Sequence, residues 1–252
     1  MWKFLCQSVE GTSHKLSAIP CQDSSAACLH DNALILVCAD GAGSAAQAQV
    51  GSKLAVETAV AQIKAHLDAG HSVDQISGDD LRVWVSIIHA ALETEATARE
   101  TSSRELACTL LLAVIGPASA AFAQIGDGAI VILDETGYRP VFWPQTGEYL
   151  NTTYFITESE FNEHLQLEVI ARPVDELAIF SDGLEMLALN YSSRTAHGPF
   201  FAPLFQHLRT GDAEALAEPL RQFLDSKPIN DRTDDDKTLI LATRVANADA
   251  TV

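Results

Sequence analysis

Basic residues are scarce in this 252-residue chain: 16 Lys and Arg stand against 34 Asp and Glu, a formal charge of -18 at pH 7. No basic run is available to neutralise a phosphate backbone or an anionic bilayer, so a nucleic-acid or membrane partner is not expected. Cysteine is sparse too. Cys6, Cys21, Cys28, Cys38 and Cys108 are odd in number and show no CxxC spacing, which argues against a zinc knuckle or a disulfide framework and for a reducing cytoplasm. No apolar run reaches the ~18 residues of a membrane span, and the first residues lack the apolar centre of a signal peptide. Linkers, repeats and low-complexity segments are also missing. With 47% hydrophobic residues, a single domain over residues 1–252 with a sizeable core is expected.

What the chain does have is a recurring figure: an apolar run that stops on Asp-Gly. It occurs as "LVCADGAG" at Asp40, "AQIGDGAIV" at Asp127 and "AIFSDGLEM" at Asp182, while in "DDDKTLIL" Asp235 stands just before an apolar run. The run at 33–39 is short enough for a buried strand. Alanine-rich sequence from Ser44 to about Leu67 has apolar residues at helical spacing, with Ser44 as N-cap. A second helix is expected over roughly 80–100, where Leu81, Val85, Ile88 and Leu92 share a face. Strands follow near 108–116 and 119–127, then a strand, turn and strand over 129–143. Another strand is expected in the Tyr- and Thr-rich "GEYLNTTYFIT", and two more around Pro173. Helical stretches near 183–190, 199–208 and 212–224 precede a final strand in "TLILATRV". Blocks of strands separated by blocks of helices imply the α+β class, with antiparallel sheets covered by helices.

In antiparallel sheets the start of one strand lies beside the end of its neighbour, so these carboxylates can gather along one edge, with Asp23 joining from a turn. Two like charges ~4 Å apart repel by about 4 kcal/mol at an effective dielectric near 20, so protons or cations must neutralise them. Oxygen ligands without His or Cys select Mg²⁺ or Mn²⁺. Two such ions ~4 Å apart would clamp an oxyanion, phosphate being the obvious one. Each Asp-Gly is also a common turn dipeptide; the repetition after apolar runs favours a metal site.

Taken in order, "GTSHKLSAIPCQDSSA", "CADGAG", "ACTLLLAVIG", "AQIGDGAIV", "GEYLNTTYFIT", "IFSDGLEML" and "DDDKTLIL" resemble the metal-dependent protein phosphatases of the protein phosphatase 2C type, in particular their compact bacterial branch. The resemblance implies a four-layer α-β-β-α sandwich of two antiparallel sheets flanked by helix pairs. It implies hydrolysis of phosphoserine or phosphothreonine through a water held by two Mg²⁺ or Mn²⁺ ions, with a third, weaker ion. Carried over by motif, Asp40 bridges both ions and the Gly41 carbonyl binds one. Asp182 and Asp235 hold the other, Asp23 acts directly or through water, and Asp127 serves the third position. Thr109 packs behind or supports these ligands. Asn151 and Thr152 match a segment near the rim, or are simply strand residues.

Three departures stand out. Ala42 replaces a proton-donating His, no Arg precedes "QD", so that His14 or Lys15 is left to bind substrate phosphate, and Asp236 stands where Asn follows the last ligand, leaving Asp235 and Asp236 both open as that ligand. By the same resemblance the partner is a phosphoprotein, with a serine/threonine kinase or its substrate the first to test. The alternatives are a catalytically silent module of this fold that binds and regulates a kinase, and a small-molecule phosphatase.

Overall fold

The computed structural model describes residues 1–147 and 153–245. In chain order the elements are β1 (Trp2–Val9), a short helix α1 (Thr12–Ser17), β2 (Ser24–His30), β3 (Ala33–Ala39), and the long helices α2 (Ala48–Asp68) and α3 (Gly78–Ala98). Four strands come next: β4 (Leu110–Ile115), β5 (Ala120–Ile125), β6 (Ala129–Asp134) and β7 (Gly137–Pro140). The turn α4 (Phe161–His164) leads to β8 (Gln166–Ile170) and β9 (Glu176–Phe180), then to α5 (Glu185–Ala188) and the small hairpin β10 (Leu189–Asn190) and β11 (Thr195–Ala196). Helices α6 (Gly198–Thr210), α7 (Ala213–Leu224) and α8 (Lys227–Asn230) precede β12 (Lys237–Arg244).

Two five-stranded antiparallel sheets carry the architecture, ordered β1-β12-β9-β6-β7 and β2-β3-β4-β5-β8. Side chains alternate across each strand, and here both sides are covered. Leu34, Leu36 and Cys38 of β3 meet Leu177 and Ile179 of β9 in a core between the sheets. The intervening Ile35 and Val37 pack on α2 and α3 through Ile63, Val85 and Ile88, and Ala178 and Phe180 pack on α6 and α7 through Phe201, Phe205 and Leu220. Because no face is wet, the central strands are continuous apolar runs. The result is the four-layer α-β-β-α sandwich.

Several local expectations are corrected. Ser44 is not a cap: α2 starts at Ala48 after Gln47, and residues 42–47 form a loop tied to 105–107, with the Ala46 N–H donating to Glu105 Oε2 at 2.8 Å and the Gln47 N–H to the Glu105 carbonyl at 2.9 Å. Helix α3 starts earlier, where Ser77 and Asp80 cap each other. No strand forms over 153–157, despite their propensity. There the Ile156 N–H donates to the Cys108 carbonyl and its own carbonyl accepts from His89 Nδ1, so a buried Ile156 plugs the segment onto α3 instead of extending a sheet. Asn151 and Thr152 lie outside the described residues. The helical stretch at 183–190 shrinks to a 3₁₀ turn over 182–184 and α5.

Helix α2 approaches the 103–106 turn so closely that a Cβ on Gly51 would lie 2.0 Å from the Leu106 carbonyl oxygen. Gly51→Ala is therefore expected to destabilise the protein by about 1–3 kcal/mol despite the better helix propensity of Ala. Urea unfolding would test this, and an unchanged or raised midpoint would mean that the turn yields freely.

Candidate functional site

Asp40, Asp127, Asp182 and Asp235, from four different strand ends, line one cavity of about 680 Å³ together with Gly41, Ala42, Thr109, Phe155 and Thr157. Each is placed by a specific local device. Asp40 leaves the end of β3, where Thr109 grips its backbone twice: the Asp40 N–H donates to Thr109 Oγ1 at 3.0 Å, and the Thr109 N–H donates to the Asp40 carbonyl at 2.8 Å. That is the supporting part expected of Thr109. Asp182 follows β9 and Ser181. A Cβ on Gly183 would fall 2.0 Å from the Asp236 carbonyl oxygen, so only glycine lets the entry to β12 come this close to Asp182. Asp127 sits in the turn from β5 to β6.

Asp23 is buried and is not among the residues that line the cavity. Its Oδ2 accepts from Ser181 Oγ at 2.8 Å and from Thr238 Oγ1 at 2.7 Å, which joins β2's entry to β9 and β12. Its Oδ1, like Oδ1 of Asp182, is buried and has no hydrogen-bond partner. A buried carboxylate oxygen without a donor costs of the order of 1–3 kcal/mol, and a cation would remove that cost.

The two neighbouring aspartates at the start of β12 have opposite surroundings. Asp235 opens to the cavity. Asp236 is buried, and its carboxylate accepts from the Gly11 N–H at 2.7 Å and the Gln22 N–H at 2.6 Å, with His14 Nδ1 at 2.9 Å but off the line of a hydrogen bond. Asp236 is thus turned to the Gly11 and Gln22 amides and is not among the residues that line the cavity. His14 lies against this buried carboxylate without a hydrogen bond from Nδ1, and Lys15 Nζ pairs with Asp225 Oδ1 at 2.5 Å. Neither residue is among those that line the cavity.

Crowding shows in the acidities. Burial first, then the negative charges of Asp23 and Asp182, hold the Asp40 carboxyl well above the carboxylate range. Burial and the Asp182 charge push Asp127 up to about 7, and burial, outweighing the two hydroxyl donors, raises Asp23 to about 7. Asp235 is also raised, by loss of water and then by Asp182. Among the described residues no three Asp, Glu, His or Cys side chains close into a ready metal cage. The donor set nevertheless fits hard divalent ions: all oxygen, mutually repelling, and open enough for an ion such as Mg²⁺, which keeps several waters and few carboxylates.

Two residues on or near this site carry no pattern in the sequence. Arg104, from the turn 103–106, is the one basic residue lining the cavity among the described residues. Glu185, one turn beyond Asp182, is raised to about 8 by burial and then by the charges of Asp127 and Asp182, so it stands close to both.

The chain matches the family model described as Protein phosphatase 2C over residues 10–225. It is 37% identical over 250 residues to Serine/threonine-protein phosphatase 3 of Escherichia coli (strain K12), covering 96% of this chain and 98% of that protein. Among solved structures it is similar to serine/threonine phosphatase Stp1 from Staphylococcus aureus (TM-score 0.65, 18% identity, 97% of this chain and 95% of that one). It is also similar to PppA, titled a key regulatory component of T6SS in Pseudomonas aeruginosa (TM-score 0.65, 19% identity, 96% and 97% covered).

Raised carboxyls bind protons more tightly in the fold than in the unfolded chain. For Asp23 and Asp127 the folded value is about 7 against an ordinary 3.8, so the folded state holds more protons between these limits and loses stability as pH rises through them. The melting temperature of the metal-free chain should fall from pH 5 to pH 8, and Asp127→Asn should flatten part of that fall. A melting temperature that climbs across this window would contradict the assignment.

Proposed function

Because the chain belongs to the protein phosphatase 2C family, and is a protein phosphatase of that family, we propose that it hydrolyses phosphoserine and phosphothreonine in proteins with Mg²⁺ or Mn²⁺. The observation that carries this reading is the meeting of Asp40, Asp127, Asp182 and Asp235 in one cavity, with buried oxygens of Asp23 and Asp182 lacking any donor. A silent binding module has no physical need for such crowding. The bound ions supply charge neutralisation and an acidified water, the two things a phosphate monoester dianion needs in order to be attacked.

From the end of β3, Asp40 would hold both ions and the carbonyl of Gly41 one of them. Asp182 and Asp235 would hold one ion from two strand ends on the other sheet, with the free oxygen of Asp23 backing the site, and Asp127 would serve a third, weaker position. Phe155 and Thr157 line the cavity beside these acids. Ala42 brings no proton donor to the leaving group, so leaving-group help has to come from elsewhere around Asp127. The first partner to test is a serine/threonine kinase or its substrate. Five cysteines free of disulfides suit a reducing cytoplasm, and among the described residues no helix is long and apolar enough to cross a membrane.

Metal-stripped protein should regain hydrolysis of a phosphothreonine peptide when Mn²⁺ or Mg²⁺ is returned, and EDTA should abolish it; no turnover under any divalent ion would refute the reading. Asp182→Asn should cost activity by at least about a hundredfold while raising the melting temperature of the metal-free protein, since one repelling charge is gone. Asp127→Ala should keep the tight Mn²⁺ sites in calorimetry but lower kcat, and lower it further for the peptide than for p-nitrophenyl phosphate, whose leaving group needs no proton. Loss of the tight sites together with activity would place Asp127 in the primary pair.

A further inference from the structure

The cavity poses an electrostatic problem for its substrate. A phosphoprotein brings a phosphoryl dianion to a chain of formal charge -18, into a cavity whose wall carries Asp40, Asp127, Asp182, Asp235 and Glu158. Ions can neutralise the carboxylates they touch, but something must also receive the phosphoryl oxygens that face the mouth. Lys15 is paired with Asp225, His14 lies against Asp236, and neither lines the cavity.

The geometry points to Arg104 as the residue that receives the phosphoryl group of the substrate at the mouth of the cavity, an assignment that rests on the phosphatase reading above. Three observations carry it. Arg104 lines the cavity, and it does so as the one basic residue among the described residues there. Its guanidinium makes no hydrogen bond or ion pair with any other described residue, not even with Glu158, whose Oε1 instead accepts from the Phe155 N–H at 3.3 Å. A cation beside five carboxylates that pairs with none is held at a distance from them, with its five donors free for an incoming anion.

Its backbone, by contrast, is fixed. Its carbonyl accepts from the Ala107 N–H at 3.2 Å, and the Ala107 carbonyl accepts from the Ala42 N–H at 2.9 Å. Glu105 next to it accepts from the Ala46 and Gln47 amides. The turn carrying Arg104 is thereby bolted to the loop that begins with Asp40 and Gly41. A fixed base with a free planar fork is the arrangement that binds phosphate oxygens in two-pronged fashion. Through that loop, the backbone of Arg104 is tied to the segment that carries Asp40.

The test uses the full chain with Mn²⁺ as wild type, Arg104→Ala and Arg104→Lys. A charge-assisted contact of this kind predicts that Arg104→Ala raises KM by about tenfold or more for both the phosphothreonine peptide and p-nitrophenyl phosphate, with a smaller change in kcat, and weakens inhibition by inorganic phosphate to the same degree. Arg104→Lys should recover part of each effect, since it keeps the charge and loses the fork. An unchanged inhibition constant for inorganic phosphate would overturn the assignment, as would a KM that rises for the peptide alone, because Arg104 would then touch the polypeptide around the phosphoresidue. Failure of the parent reading looks different: the wild type would hydrolyse neither ester. Calorimetric titration of inorganic phosphate into the Mn²⁺-loaded wild type and Arg104→Ala still decides in that event, equal affinities removing Arg104 and weaker binding by the variant retaining it.

Discussion

Mutual repulsion among buried carboxylates is the constraint around which this molecule is built. Asp23, Asp40, Asp127 and Asp235 all resist ionisation, each because it is short of water and close to another acid. Such a cluster pushes its own strand ends apart. What opposes it is the depth of the two sheets behind it: strands β3, β4, β5 and β9 are buried along their whole length, and apolar burial at about 25 cal/mol per Å² accumulates over three separate cores. The acids are tolerated because they stand at the ends of strands that have no alternative place to go.

Support of the acids is hydrogen-bonded as well as apolar. Thr109 fixes Asp40 through the backbone, Ser181 and Thr238 fix Asp23 through the side chain, and two amides satisfy Asp236. The division is graded: Asp236 accepts from two amides, Asp235 accepts from the Asp236 N–H, and Asp23 and Asp182 each keep one buried oxygen without a donor. Lys237, fully buried at the start of β12, belongs to the frame. Its Nζ donates to Asn230 Oδ1 at 2.9 Å and to the Asp235 backbone carbonyl at 3.3 Å, which fixes the chain at the entry to β12.

Much of this was legible in the sequence, and the rest was hidden for identifiable reasons. Central strands such as 33–39 declared themselves because both faces are buried, and the Asp-Gly pairs marked where those strands end. Strands β1 and β2 did not, since each is the edge of its sheet and "WKFLCQSV" and "SSAACLH" are only half-buried mixtures. Helix α1 is too short to show a period. Asp235 and Asp236 could not be separated by reading, because consecutive residues of extended chain point to opposite sides and only the neighbours at Gly11 and Gln22 reveal which side is which. Arg104 was invisible: one Arg in a polar stretch has no pattern, and its significance comes from the turn that the loop after Asp40 imposes. Residues 153–157 of the Tyr- and Thr-rich segment misled in the opposite sense, since tertiary burial of Ile156 overrode strand propensity.

The clamp on Asp236 has a consequence in time as well as in space. Its donors come from residues 11 and 22, more than two hundred positions away along the chain, and β1 pairs along its whole length with β12. Contacts of such sequence separation are entropically expensive to close and form late when a chain folds. During synthesis, a ribosome-bound chain can complete the sheet β2-β3-β4-β5-β8 while the other sheet still lacks its second strand, and in that state Asp40 has neither Asp235 opposite it nor the frame that positions Asp182. The cluster of acids is therefore assembled late: Asp235 cannot reach Asp40 and Asp182 until β12 has emerged and docked between β1 and β9.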